Sequence, residues 1–169
     1  ERAVFVARLR GTQVYLVADA WDGSRIADAI AAFLASASGR GRETVTAGGV
    51  SIEAGGQSHL IAFVGHNGLM DFAAPAVEPG TPQPPRAAMV LACASKPYFA
   101  APLQRSGAHP LLLTTGLMAP EAYTLDAAVR TWFTTLDPDE VRAAAAAAYH
   151  KHQRCGLTAA RRLFVSALH

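Results

Sequence analysis

The sequence predicts an α/β domain in which helices cover both faces of a mainly parallel sheet. Two short apolar runs, Leu60–Val64 and residues 87–92, are bounded by Gly, Pro and polar residues. Such runs are typical of strands buried on both sides. A third run over residues 110–114 has the same character. Helical patterns between and after these runs favour right-handed strand–helix–strand units.

Composition and charge narrow the class of protein. With 169 residues and 51% hydrophobic content, the chain is expected to form one domain over residues 1–169. A net charge of +2 on scattered basic residues argues against nucleic-acid binding. The apolar runs are too short for a membrane span. Two cysteines are too few for a framework of disulfide bridges, so a reducing, cytoplasmic location is expected. The start at Glu1 without Met suggests a missing N-terminal segment.

The N-terminal quarter predicts two strands and a helix. Residues 3–9 and 14–18 are strand-like, and the Gly-containing link between them fits either a hairpin or a bent strand. We expect Ser24 to cap a helix over residues 25–37, which Gly39 terminates. The order of strand, turn and helix then predicts the first half of a βαβ unit.

The middle of the chain is rich in residues that interrupt regular structure. A short edge strand is predicted at residues 50–53, and a proline-rich, exposed loop is predicted at residues 71–86. The five prolines of this loop are Pro75, Pro79, Pro82, Pro84 and Pro85. Pro97 suits the first turn of a helix that continues through Leu103.

The last third of the chain predicts three helices. The first runs from Pro120 to about residue 133, and the second follows the acidic start at Asp137 and reaches about residue 153. Gly156 ends the second helix. Thr158 is then expected to cap a final helix that reaches about residue 168.

The predicted chemistry lies at two strand ends. In an open α/β sheet, reactive groups gather outside the carboxyl ends of the strands, and there the chain has His66 and Cys93. A thiol attacks a carbonyl as its thiolate and needs a base, for which imidazole is the usual choice. We therefore predict a His66–Cys93 dyad. The backbone N–H groups of Gly68 and Cys93 are candidates to stabilise an oxyanion.

Two segments carry a resemblance to a known family. Residues 64–68 read Val-Gly-His-Asn-Gly, and residues 91–95 read Leu-Ala-Cys-Ala-Ser. They resemble the caspase/legumain/gingipain clan of cysteine peptidases, whose corresponding blocks end in His-Gly and Ala-Cys, although Asn67 separates the His and the Gly here. The chain also resembles a group of uncharacterised bacterial proteins with the patterns Gly-His-x-Gly-Leu-Met-Asp and Ala-Cys-Ala-Ser-Lys.

The clan resemblance implies a caspase-like, flavodoxin-like three-layer sandwich and an endopeptidase that acts through a thioester. It implies that Asp19 and Asp22 lie by the pocket for the residue before the scissile bond, where carboxylates would favour Arg or Lys. Thr114 and Thr115 are expected to border the same cleft. For Asp22, a helix cap near Ser24 is an equally open interpretation.

Other functions remain open at this point. Taken alone, Cys93 is more often a small buried hydrophobic residue, which favours a non-catalytic flavodoxin-like binding module or pseudoenzyme. An amidotransferase-like glutaminase would also place its cysteine after a strand, on a sharp turn with Gly two residues before and after it. Leu91 and Ser95 occupy those positions here, which disfavours a glutaminase. The histidines have no spacing that predicts a metal site, and no cofactor is expected. The predicted partner is a peptide or protein substrate, with an activating partner or N-terminal segment.

Overall fold

A computed structural model describes residues 1–80 and 85–166 of the chain. The strands in these ranges are β1 (Arg2–Leu9), β2 (Thr12–Asp19), β3 (Arg42–Ala47), β4 (Val50–Gly55), β5 (Leu60–Val64), β6 (Ala87–Leu91), β7 (His109–Thr114) and β8 (Phe164–Val165). The α-helices are α1 (Ile26–Ala37), α2 (Ser95–Ser106), α3 (Ala122–Thr135), α4 (Pro138–Gln153) and α5 (Leu157–Leu163). Short 3-10 helices at Gly23–Arg25 and Gly68–Met70 precede α1 and follow β5.

The central sheet has the strand order β5-β6-β7-β8. β5, β6 and β7 are parallel, and β8 pairs antiparallel with β7. All five residues of β6 are buried, which explains why its sequence is apolar without alternation. The prediction of a mainly parallel sheet built on three apolar runs is confirmed.

Helices cover both faces of this sheet. Ala88 and Val90 of β6 belong to one core cluster, which they share with α1 and α2. Met89 and Leu91 belong to a second cluster, which they share with α3, α4 and α5. Because neighbouring residues of a strand point to opposite faces, the two clusters lie on opposite sides of the sheet. This arrangement is compatible with the predicted three-layer fold.

The first two strands form a hairpin, as one of the two sequence interpretations predicted. β1 and β2 pair antiparallel across Arg10 and Gly11, whose φ values of 48° and 82° suit a tight hairpin turn. Within the described residues, β2 pairs with β1 alone. The prediction that residues 14–18 begin a βαβ unit of the central sheet is therefore wrong, because β2 turns back directly onto β1 and forms a separate two-stranded sheet with it.

A second hairpin replaces the single edge strand predicted at residues 50–53. β3 and β4 pair antiparallel on either side of Gly48 and Gly49, both of which have positive φ. Val45 and Ala47 of β3 are buried between exposed neighbours. This alternation is the period-2 signal of a half-buried strand, and it is short enough to be overlooked in a polar segment.

The start of α1 differs from the prediction. Asp22, rather than Ser24, is the capping residue, because its carboxylate accepts hydrogen bonds from the Ser24 N–H at 2.9 Å and from the Ser24 hydroxyl. A 3-10 turn follows, so α1 begins at Ile26 and ends at Ala37. The capping interpretation of Asp22 is confirmed.

The later helices mostly agree with the sequence. α2 carries Pro97 in its first turn, and α3 follows Pro120. α4 begins after Asp137, whose side chain accepts from the Asp139 N–H at 2.9 Å. The proline-rich loop contains no helix or strand in its described parts, residues 71–80 and 85–86; Pro82 and Pro84 lie outside the described residues.

The C-terminal prediction is wrong in its length and its cap. α5 begins after Gly156, contains Thr158 and ends at Leu163, well before residue 168. The next residues, Phe164 and Val165, pair with β7. Phe164 is fully buried, so packing at the sheet edge favours an extended backbone over another helical turn. Residues 167–169 lie outside the described part of the chain.

Candidate functional site at the carboxyl ends of β5 and β6

The register of β5 and β6 brings the loops of His66 and Cys93 to the same edge of the sheet. Val64 is paired with Leu91 in parallel register. One residue further on, the Gly65 N–H donates to the Leu91 carbonyl oxygen at 3.1 Å. His66 and Cys93 each lie two positions beyond the paired residues. The predicted location at one sheet edge therefore follows from the strand pairing.

Asn67 connects the two loops, and the sequence analysis assigned it no role. Its side chain is fully buried, and its amide Nδ2 donates to the Cys93 carbonyl oxygen at 2.7 Å. Its Oδ1 accepts from the Leu69 N–H at 3.1 Å and caps the 3-10 helix Gly68–Met70. An Asn that precedes Gly after a strand is the signal that predicts such a turn.

The His66 ring lies on the protein surface and pairs with Asp71. Its Nε2 is 2.7 Å from the Asp71 Oδ2, and the two side chains are 62% and 65% exposed. Asp71 is the last residue of the Gly-His-x-Gly-Leu-Met-Asp pattern, but no function was predicted for it. In the described part of the chain, the ring makes no hydrogen bond to Cys93.

The Cys93 thiol is half-buried and lies against the loop that follows β7. The Met118 N–H donates to Sγ at 3.4 Å, and the thiol donates to the Met118 carbonyl oxygen at 3.5 Å. The sulfur is therefore not sealed in the core, but its nearest polar partners are backbone groups of Met118 rather than the imidazole.

A strained turn carries the chain from Cys93 into α2. Ala94 adopts a left-handed conformation with φ 46° and ψ 43°, which costs a non-glycine residue about 1–2 kcal/mol. The Ala94 N–H donates to the Gly116 carbonyl oxygen at 2.8 Å. The turn places Cys93 just before the N-terminus of α2, the end of a helix dipole that favours negative charge.

Thr114 and Thr115 were expected to border a substrate cleft, but both hydroxyl groups have structural partners. The fully buried Thr114 accepts from the Ser95 N–H at 3.0 Å and donates to the Ala92 carbonyl oxygen. The Thr115 hydroxyl donates to the Arg162 carbonyl oxygen at 2.9 Å. These bonds hold α2 and the end of α5 against the sheet, and they give the cleft prediction no support.

Gly68 was predicted to offer its N–H to an oxyanion. In the structure this N–H donates to the His66 carbonyl oxygen at 3.1 Å, so an oxyanion would have to displace that bond. A Cβ on Gly68 would lie 2.7 Å from the Phe72 ring and 3.0 Å from Ile26. The requirement for glycine here is therefore steric.

Asp19 and Asp22 were predicted to line a pocket for basic side chains. Asp19, at the end of β2, accepts from the Arg2 guanidinium through both oxygens at 2.7 Å, and these bonds hold the pKa of Asp19 below its usual range. The hydrogen bonds from Ser24 lower the pKa of Asp22. Because both carboxylates already have partners, a preference for basic residues stays a prediction without structural support.

Three further observations concern metal binding, membrane spans and similarity to known proteins. Over residues 1–80 and 85–166, no group of three or more His, Cys, Asp or Glu side chains is arranged to hold a metal ion. No helix in those ranges combines the length and apolar character needed to cross a membrane. Comparison with protein-family models, with curated proteins and with solved structures finds no match to this chain.

Proposed function

We propose that the chain is a caspase-like cysteine hydrolase in which Cys93 is the nucleophile and His66 is the general base and acid. The observation that carries the proposal is the parallel register of β5 and β6, which brings both loops to one sheet edge. The Asn67 bond to the Cys93 carbonyl oxygen ties these loops together. The mainly parallel sheet between helical layers is compatible with the caspase-like arrangement.

The proposed reaction is acyl transfer from a peptide or protein substrate. The Cys93 sulfur attacks the peptide carbonyl carbon while the thiol proton passes to His66. When the tetrahedral intermediate collapses, the C–N bond breaks, the amine leaves with the proton from His66, and a thioester remains on Cys93. Water, deprotonated by His66, then hydrolyses the thioester and restores the thiol.

The surroundings of the sulfur support this assignment in part. The N-terminus of α2 and the Met118 N–H both favour a negatively charged sulfur. The Met118 carbonyl oxygen accepts a hydrogen bond from the thiol, so the thiol must turn from Met118 toward His66 before it reacts. A reducing, cytoplasmic location would keep the thiol free and is part of the proposal.

A non-catalytic binding module is the second candidate. The observation that favours it is that Cys93 and His66 each have a partner of their own, Met118 and Asp71 respectively. In this interpretation the thiol fills space beside the loop after β7, and the imidazole stabilises its own turn.

Alkylation by iodoacetamide distinguishes the two candidates. In a Cys155→Ser background, Cys93 is the remaining cysteine of the chain, and we expect His66→Ala to slow its alkylation at pH 7 at least tenfold. His59→Ala is the matched control, because His59 is an exposed histidine that precedes β5 at the opposite end of the strand. Equal rates in the two variants would favour the binding module.

Fluorogenic peptides test the substrate class. A hydrolase with the proposed dyad releases fluorophore from peptide amides, and Cys93→Ser abolishes the release. A panel with Arg, Lys, Asp or Asn before the scissile bond then tests the predicted basic preference. Cleavage of Asp or Asn peptides as fast as Arg or Lys peptides would reject that preference without rejecting the dyad.

A further inference from the structure

We propose that Asp71 is a positioning residue that fixes the tautomer of His66, so that Nε2 carries the proton and Nδ1 is the basic nitrogen. The proposal rests on the proposed function where it concerns catalysis. The tautomer itself is a property of the resting protein and is measurable without any substrate.

The bond between the two side chains supplies the first step. The Asp71 Oδ2 lies 2.7 Å from the His66 Nε2, a distance typical of a charge-assisted hydrogen bond. A carboxylate can only accept, and a neutral imidazole carries one N–H. Nε2 must therefore be the protonated nitrogen, which leaves the lone pair on Nδ1.

The backbone turn between His66 and Asp71 keeps their side chains next to each other. The 3-10 helix Gly68–Met70 lies between them, and the Asp71 N–H donates to the Gly68 carbonyl oxygen at 2.9 Å. Asn67 caps this helix and is bonded to the Cys93 carbonyl oxygen. The His66–Asp71 pair is thus built on a turn whose position relative to Cys93 is fixed by a buried side chain.

The orientation of the His66 ring determines which of its nitrogens can accept the thiol proton. With Nε2–H directed at Asp71, the thiol proton of Cys93 passes to Nδ1, and the carboxylate stabilises the imidazolium that forms. The same proton later leaves Nδ1 with the departing amine. Because both side chains are more than 60% exposed, the bond contributes little to the stability of the fold. Its expected effect is on the orientation of the His66 ring and on the reactivity of Cys93.

Long-range proton–nitrogen NMR of the imidazole rings tests the tautomer directly. In the 15N-labelled protein, the signals that disappear in His66→Gln identify His66 among the six histidines. We expect neutral His66 to be the Nε2–H form. Asp71→Asn adds an amide that can donate to Nε2 and should move the population toward the Nδ1–H form. Asp71→Glu, which keeps a carboxylate, should retain Nε2–H.

The control is Asp126→Asn, which removes an exposed, ion-paired carboxylate of α3 and should leave the His66 signals unchanged. Asp71→Asn should also slow Cys93 alkylation about tenfold, a modest share of the usual general-base effect, with an unchanged melting temperature. An Nδ1–H tautomer in the wild type, or no change in Asp71→Asn, would overturn the proposal.

The two proposals fail in different ways. If the tautomer depends on Asp71 but alkylation is insensitive to His66→Ala, the positioning role stands and the hydrolase does not. If alkylation depends on His66 but the tautomer ignores Asp71, the hydrolase stands and the positioning role is rejected.

Discussion

Asn67 donates its side-chain amide to the carbonyl oxygen of Cys93 across 2.7 Å and thereby joins the loops that follow two adjacent strands. The amide is fully buried, and its oxygen accepts from the Leu69 N–H. When both the nitrogen and the oxygen of a buried amide are hydrogen-bonded, the side chain is held in one orientation. Losing either bond would leave a buried polar group with neither a protein partner nor water. The placement of the candidate dyad therefore depends on a residue outside it.

Removal of this amide should destabilise the protein. We expect Asn67→Ala to lower the free energy of unfolding by about 1–3 kcal/mol, because the Cys93 carbonyl oxygen and the Leu69 N–H both lose a partner. Urea denaturation monitored by circular dichroism measures the change. Gln104→Ala, an exposed amide of α2, is the control and should stay within about 0.5 kcal/mol of the wild type. Equal effects of the two substitutions would contradict a structural role for Asn67.

Thr114 should behave as a core residue rather than as a residue of the substrate cleft. Thr114→Val keeps the shape but removes the hydroxyl that joins the Ser95 N–H to the Ala92 carbonyl oxygen. We expect a loss of about 1–3 kcal/mol in unfolding free energy. Thr114→Ser retains the hydroxyl and loses one methyl group, a change of about 1 kcal/mol. If the valine variant is as stable as the wild type, the hydrogen-bond interpretation is wrong.

Arg86 should stabilise the fold from the amino end of β6. Its side chain is 2% exposed, and it donates to the Ala37 carbonyl oxygen at 3.1 Å and the Gly56 carbonyl oxygen at 3.4 Å. Burial lowers its pKa from the ordinary value. Arg86→Met leaves these carbonyl groups without this donor, and we expect a loss of about 2–4 kcal/mol.

Thermal and urea unfolding measure the Arg86 effect. Arg105→Met on the exposed face of α2 is the matched control for loss of one positive charge, and it should change stability by less than about 0.5 kcal/mol. An Arg86→Met protein as stable as the control would mean that the buried guanidinium contributes no net stability.

The pair of Arg2 and Asp19 should respond to acid. Arg2 favours the ionised form of Asp19 and so lowers the pKa of this carboxyl group in the folded state. The resulting stability is present above the unfolded pKa of about 4 and is lost as the pH falls through the lower folded pKa. Because both side chains are about 40% exposed, the contribution should stay below about 1 kcal/mol.

Carbon-detected NMR of the carboxyl groups measures this pair directly. Arg2→Gln should raise the pKa of Asp19 toward its ordinary value. Asp22 serves as an internal reference, because its lowered pKa arises from Ser24 and should not change. An Asp19 titration that is identical in wild type and Arg2→Gln would show that the ion pair does not form in solution.

The sequence predicted those elements whose signals are local. Burial on both faces made β5, β6 and β7 continuous apolar runs, and a short acidic start with Asp137 as the cap marked α4. The position of Cys93 before a helix followed from the same pattern. These features depend on the chemistry of a few consecutive residues, so they can be read without the fold.

The incorrect predictions concern which strand a segment pairs with. The apolar residues of β2 fit a central strand as well as a hairpin, and Phe164 and Val165 of β8 fit a helix as well as a strand. The partners of the site residues were hidden for the same reason. Nothing near Cys93 in the chain indicates that the backbone of Met118 lies against its sulfur.

The sequence by itself therefore determined that β5, β6 and β7 are buried strands, and that a histidine and a cysteine follow two of them. Only the tertiary structure decided that Asn67 joins their loops, that Met118 lies against the thiol, and that the Asp19 carboxylate pairs with Arg2. The physical reason is that burial and helix capping act over a few residues, whereas a hydrogen bond between distant segments exists only once packing has brought them together.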